Sequence, residues 1–243
     1  MLNKLGKLLK YEFRFYFRLL PPLYLVLALL ALPAGFQMKQ SGVHGVLLTS
    51  IWGITLTAML VMNIVLVIQR FTDNFLRNPG SLMFTLPVTS WALTASKAIA
   101  ALCIVLTSII VVSASGVIYT IGLEGWSRIL FNIQIGPIDG IIFAFVGIIM
   151  IFQQICLIYT AISASHILPR FRFAAGAVMY FAIMYFVEQP VFRFLMQRGG
   201  QHGHFIFPGS LLFLIPYGIA GLVFAAIFFW ATGFLLKHSF NLE

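Results

Sequence analysis

The chain has 243 residues, 61% of them hydrophobic and only 9% charged, with a net charge of +9. A mean hydropathy of +1.01 leaves too little polar surface to cover a soluble core, and unbroken apolar runs exclude a β-barrel, whose segments alternate over ~10 residues. The class implied is an all-α integral membrane protein forming one transmembrane domain, residues 1–243.

Residues 2–18 carry Leu2, Leu5, Leu9, Phe13 and Tyr16 at three- and four-residue steps, with Lys7, Lys10, Arg14 and Arg18 on another face. This pattern predicts an N-terminal amphipathic interfacial helix, 1–18, with a basic polar face. The simpler alternative is a solvated basic tail that only sets topology. A cleaved signal peptide is opposed by the long basic region and by an apolar run long enough to span. Pro21-Pro22 marks a turn into the first span, since proline is tolerated in a first helical turn and not deeper.

A hydrocarbon core of ~30 Å needs about 20 apolar residues in a helix. Six stretches meet that need: 19–38, 43–69, 98–122, 140–165, 173–192 and 209–236. The fifth reaches spanning length only by taking in Glu188. A further uncharged stretch, 78–96, is broken by Asn78-Pro79-Gly80 and Pro87 and is not counted.

The connection 70–97 is long for a link between membrane helices. Residues 70–77 read as a short helix carrying Phe71, Phe75 and Leu76, and Asn78-Pro79-Gly80 as a turn. Leu82-Met83-Phe84-Thr85-Leu86-Pro87 is apolar but too short to cross the membrane, so the headgroup layer, a neighbouring helix or another protein must cover it. Thr89 or Ser90 can cap the helix that leads into the third span. Trp126 marks an interface in the next connection, Pro169 ends the fourth span's helix, and residues 193–208 are glycine-rich.

With the termini placed in the cytoplasm, eleven basic residues lie inside: Lys4, Lys7, Lys10, Arg14, Arg18, Arg70, Arg77, Lys97, Arg170, Arg172 and Lys237. Four lie outside: Lys39, Arg128, Arg193 and Arg198. The positive-inside bias therefore puts both termini in the cytoplasm. It also explains the positive charge by topology rather than by nucleic acid.

Residues with chemical potential are few. No Gly-x-x-x-x-Gly-Lys-Ser/Thr loop is present to cradle a nucleotide triphosphate, and no His-Glu-x-x-His. Ser113-Ala114-Ser115-Gly116 lacks a histidine deep in a span to activate a serine, which opposes intramembrane proteolysis. His202 and His204 adjoin no cysteine or acid that would complete a metal site. Cys103 and Cys156 lie in apolar stretches and read as small packing residues.

Glu188 is the most informative ionisable residue in a span: it lines a cavity, pairs with Arg193, or snorkels from near the outer end. Gln153 and Gln154, deep in the fourth span, stand about 100° apart on a helix and so point in different directions. Gln153, Cys156, Thr160 and Ser163 share a face. With Glu188 they form a candidate translocation path, interhelical hydrogen bonding being the alternative. Gly218, Gly221, Ala225 and Thr232 share a face of the sixth span and are expected to pack on another helix.

Two segments carry a family resemblance. Leu8-Leu9-Lys10-Tyr11-Glu12-Phe13 is similar to the N-terminal connecting helix of Gram-positive members of the type-2 ABC exporter permeases. Gly80-Ser81-Leu82-Met83-Phe84-Thr85-Leu86-Pro87-Val88, followed by Ser96-Lys97, resembles their Gly-Tyr-Leu-Met-Phe-Thr-Leu-Pro-Val segment. The chain departs from the family at Ser81, where an aromatic is usual, and at Arg77-Asn78-Pro79, where acids are common.

The resemblance implies a coupling helix within 70–97 that docks on a separate ABC ATPase through Arg70, Phe71, Phe75, Leu76, Arg77, Met83 and Phe84. ATP and Mg would reside on that partner and no cofactor on this chain, which would be a transport subunit rather than an enzyme. A second permease copy or paralogue and membrane lipids are the other expected partners, and the cell membrane the expected location. The rival functions are a secondary transporter and a non-transporting scaffold or receptor.

Overall fold

The computed structural model describes residues 6, 13, 14, 16, 19–40, 42–75, 90–125, 137–165, 172–194 and 214–240. Among them there is no strand. The helices are α1 (Pro21–Lys39), α2 (Val43–Phe75), α3 (Ser90–Glu124), α4 (Pro137–Ser165), α5 (Arg172–Ile183), a π-helical segment (Met184–Glu188) and α6 (Ile215–Phe240). The π segment runs on into helix over 189–194. Among the described residues six helices are long and apolar enough to cross a membrane, the fifth being Ala174–Phe194. Each presents large apolar side chains outward, among them Leu29, Ile54, Ile110, Phe143, Phe186 and Trp230. Lipid can cover such a surface where water could not. This is a multi-pass membrane protein.

Several ends differ from the sequence reading. Residues 70–75 are not a separate short helix but the last turns of α2, because nothing in Arg70-Phe71-Thr72-Asp73 breaks a helix. Likewise α3 begins at Ser90, ahead of the uncharged stretch. Both helices extend past their apolar stretches, since backbone hydrogen bonds hold a helix in water as well as in lipid. Gly125, at φ 83°, stops α3 in the left-handed conformation that glycine adopts without strain, its N–H bonding Ile121 O at 2.9 Å. Pro21 and Pro22 occupy the first turn of α1, as expected, while Leu20 keeps a helical backbone. The Leu20 N–H bonds Tyr16 O and the Tyr24 N–H bonds Leu20 O, both at 3.1 Å, on either side of a bend at Leu20. Most of residues 1–18, and all of 76–89, lie outside the described residues.

The residues fall into two compact sets. The first comprises Met1–Gln69 and Ile99–Gln134. Tyr16, from the predicted apolar stripe, is buried there with Leu20, Leu66 and Ile104. In this set α1 meets α3 backbone to backbone: a Cβ on Gly35 would collide with Tyr119 O and sit 3.1 Å from Gly122 Cα. Trp52 stacks on Tyr119, with ring centroids 4.8 Å apart. Tyr24 Oη and Ser108 Oγ share a 2.6 Å hydrogen bond, and Ser108 donates to Asn63 Oδ1 at 2.8 Å. The chain of polar side chains ends where Asn63 Nδ2 donates to Met59 O at 2.9 Å. No polar group in it is left to face hydrocarbon.

The second set comprises Arg70–Ala98 and Ile135–Glu243. Here α4 packs on α5 and on α6. Cys156, Leu157 and Phe228 form its core with Phe152, Tyr180, Ile183, Phe224 and Phe229 around them. The small face of α6 packs as expected. Gly218 lies against Val146 and Gly221 against Ile149, Met150 and Gln153, while Ala225 and Thr232 are buried. Cys103 and Cys156 are free thiols.

Candidate functional site

The polar cluster of the second set is built on the fifth span. Pro190 has no N–H to give to the helical ladder and its ring crowds the carbonyl a turn earlier. The backbone answers with the wider π turn just ahead of it, in which Gln189 N–H reaches Met184 O. Tyr185, Phe186 and Val187 face outward, whereas Glu188 is only 3% exposed. π turns of this kind recur at functional sites.

Both carboxylate oxygens of Glu188 are held by α4. Gln153 Nε2 donates to Oε1 at 2.8 Å and Gln154 Nε2 to Oε2 at 3.1 Å. Tyr180 Oη in turn donates to Gln154 Oε1 at 3.0 Å, fixing that amide. The two glutamines therefore converge on one acid, correcting the reading that they point apart. Their Cα directions do differ, but each side chain is long enough to swing toward a carboxylate set between them.

Nor does Glu188 snorkel. Gln153 stands midway along Gly140–Ser165, roughly 18 Å from either end at ~1.5 Å per residue. Along its own span Glu188 is nearer one end, about 9 Å away by the same rise. A charged carboxylate costs about 2.5–3.5 kcal/mol at the bilayer centre on insertion scales and less toward an end, and the amide donors offset part of that cost. Arg193 is exposed, and no ion pair to Glu188 exists among the described residues.

The rest of the predicted path is used otherwise. Thr160 Oγ1 donates to Phe228 O at 2.9 Å and lies 3.0 Å from Thr232 Oγ1, joining α4 to α6. Thr232 also donates to Phe228 O at 2.8 Å. Ser163 is buried, with no partner for its hydroxyl. Gln153 and Glu188 are brought together, while Thr160 makes the interhelical bond that was the alternative reading.

Of the expected coupling residues, Arg70 and Phe71 are described. Phe71 is 0% exposed and stacks on Tyr159 at 4.2 Å between centroids. Lys97, also buried, donates from Nζ to Arg70 O at 3.2 Å, and Tyr159 Oη makes a long 3.4 Å contact to Lys97 O. Trp91 packs near Phe229, its ring filling the space beside Gly233. Phe71 is thus a core residue that roots the end of α2, not a free anchor for another protein. The side chains of Phe75, Leu76, Arg77, Met83 and Phe84 lie outside the described residues, as do Trp126, His202 and His204.

Sequence reasoning named Gln154 but turned it away from the acid, named Lys97 without its bond to Arg70 O, and missed Tyr180 and Tyr159. The available signal was a polar pair, Gln153-Gln154, in the middle of an apolar span one helix before an intramembrane acid. Compared with protein-family models, with curated proteins and with solved structures, the chain finds no match.

Proposed function

We propose that this chain is the membrane subunit of an ATP-driven exporter of the type-2 ABC class, with hydrolysis on a separate ATPase docked on the connection between α2 and α3. The observation that carries this reading is the rooting of that connection. The segment resembling the family's, 80–88, leaves from α2 where Phe71 stacks on Tyr159 and returns through α3 where Lys97 holds Arg70 O. Movement of a docked partner would pass into α4 through Tyr159 instead of dissipating in a slack loop. Arg70 and Phe71 then serve as the root, leaving Phe75, Leu76, Arg77, Met83 and Phe84 as the contact residues. On this reading the basic N-terminal segment lies in the cytoplasmic headgroup layer, both termini are cytoplasmic, and a second permease copy or paralogue completes the transporter in the cell membrane.

The test is purification from native membranes in mild detergent with associated chains retained. A copurifying chain that carries a phosphate-binding loop and hydrolyses ATP is expected. Recovery of this chain alone, with substrate moved by an ion gradient and not by ATP, would overturn the proposal. The second reading, an ion-coupled carrier, draws on one observation, the burial of Glu188, and that last result would establish it.

A further inference from the structure

Among the described residues, the Glu188 cluster lacks a positive charge. Two amides donate to the carboxylate, but amides carry only partial charge, and no cationic side chain pairs with it among the described residues. Arg193, five residues along the same helix, is exposed and makes no ion pair with the acid, and the titratable groups buried or half-buried around the cluster are the thiol of Cys156 and the phenols of Tyr180 and Tyr217. Thiols and phenols are neutral or negative, so none of them can neutralise an acid.

Two further polar atoms lack a counterpart. Gln153 is fully buried, and its Oε1 has no hydrogen-bond partner although the same amide's Nε2 touches Glu188. Tyr217 Oη is likewise buried and unpartnered, and its ring stacks on Phe192, one turn beyond Glu188. Gly221, one turn after Tyr217, brings its backbone close to the Gln153 oxygen: a Cβ there would come within 3.2 Å of Oε1. Buried polar atoms without partners require an explanation, and an unseen ion or water is the common one.

We propose that Glu188, together with Gln153 Oε1, forms an intramembrane binding site for a monovalent cation, either a proton or an alkali ion. Oxygen ligands of this kind suit hard cations. One carboxylate balances one positive charge, which selects a monovalent ion over a divalent one. The cation supplies what the amides cannot, full neutralisation of Glu188 inside the apolar layer. The site does not depend on what energises transport, so it stands or falls separately from the ATPase proposal.

The test uses the purified full-length chain in detergent micelles. Two quantities are read: the thermal unfolding midpoint, and the labelling of Glu188 by dicyclohexylcarbodiimide, which attacks protonated carboxyls in apolar surroundings. Sodium, lithium and potassium chloride are compared with choline chloride at equal ionic strength, each from acidic to alkaline pH. If an alkali ion occupies the site, that ion raises the midpoint and blocks labelling where choline does not. If a proton occupies it, labelling is lost on raising the pH, the midpoint shifts with pH, and the alkali salts match choline. Glu188→Gln keeps the shape without the charge, and it should stay folded while losing both responses. Gly221→Ala should weaken the response to an alkali ion. A midpoint and labelling rate insensitive to both alkali ion and pH would overturn the site, as would responses that persist in Glu188→Gln.

Discussion

The closest approach of two spans offers a sharp test, because one substitution can be compared with another that shares everything but the collision. Replacing Gly35 by alanine puts a methyl against Tyr119 O and 3.1 Å from both Gly122 Cα and Leu123 N. All three are backbone atoms, so no rotamer change relieves the contact and α1 must move away from α3. Gly116, also in a spanning helix, has nothing within 4 Å of its would-be Cβ. Alanine gains about 1 kcal/mol over glycine in helix propensity at either site, so the difference between the variants isolates the collision. Overpacking of one methyl costs ~1–3 kcal/mol. Unfolding in mixed micelles with increasing denaturing detergent should therefore place Gly35→Ala below Gly116→Ala by that amount. Gly122→Ala, whose methyl would lie 2.9 Å from Leu32 O, should behave like Gly35→Ala. A difference under about 0.5 kcal/mol, the ordinary scatter between independent sites, would show that the helices do not meet at these glycines.

Other substitutions probe the second set and the topology. Ala225→Phe, at a position 2% exposed, should lower stability by ~1–3 kcal/mol through overpacking; an unchanged thermal midpoint would mean this face of α6 meets lipid. Thr160→Val removes the bond to Phe228 O and should cost about 0.6 kcal/mol, the average for a hydrogen bond between membrane helices; a loss beyond ~2 kcal/mol would assign the hydroxyl more than this bond. For topology, Asn78→Cys should resist a membrane-impermeant thiol reagent in intact cells while Gln201→Cys reacts. Labelling of position 78 from outside would reverse the charge-based orientation.

The six spans were legible because a bilayer sets a length and charges mark where it is not met. Their ends were less so. Helix α2 runs on through Arg70 and Phe71 because helix propensity, unlike hydropathy, does not change at the membrane surface. The small face of α6 was readable from the spacing of Gly218, Gly221 and Ala225, since close approach depends only on what is absent. The burial of Phe71 was not, because its partner Tyr159 is distant in sequence and nothing local pairs them. The Glu188 cluster was half legible: acid and glutamines stood out against apolar neighbours. Their convergence depends on long side chains and on a π turn forced by Pro190, neither of which spacing on an ideal helix conveys.

The central claim, that the connection after α2 couples this chain to an ATPase, is tested most directly by Phe75→Ala combined with Leu76→Ala. Truncating interface anchors costs ~2 kcal/mol or more each, while Phe71, which roots the connection, is left in place. The account predicts a double variant that folds with an unchanged melting profile but recovers far less ATPase on purification and no longer links hydrolysis to transport. Full ATPase recovery with normal substrate-stimulated hydrolysis would contradict it.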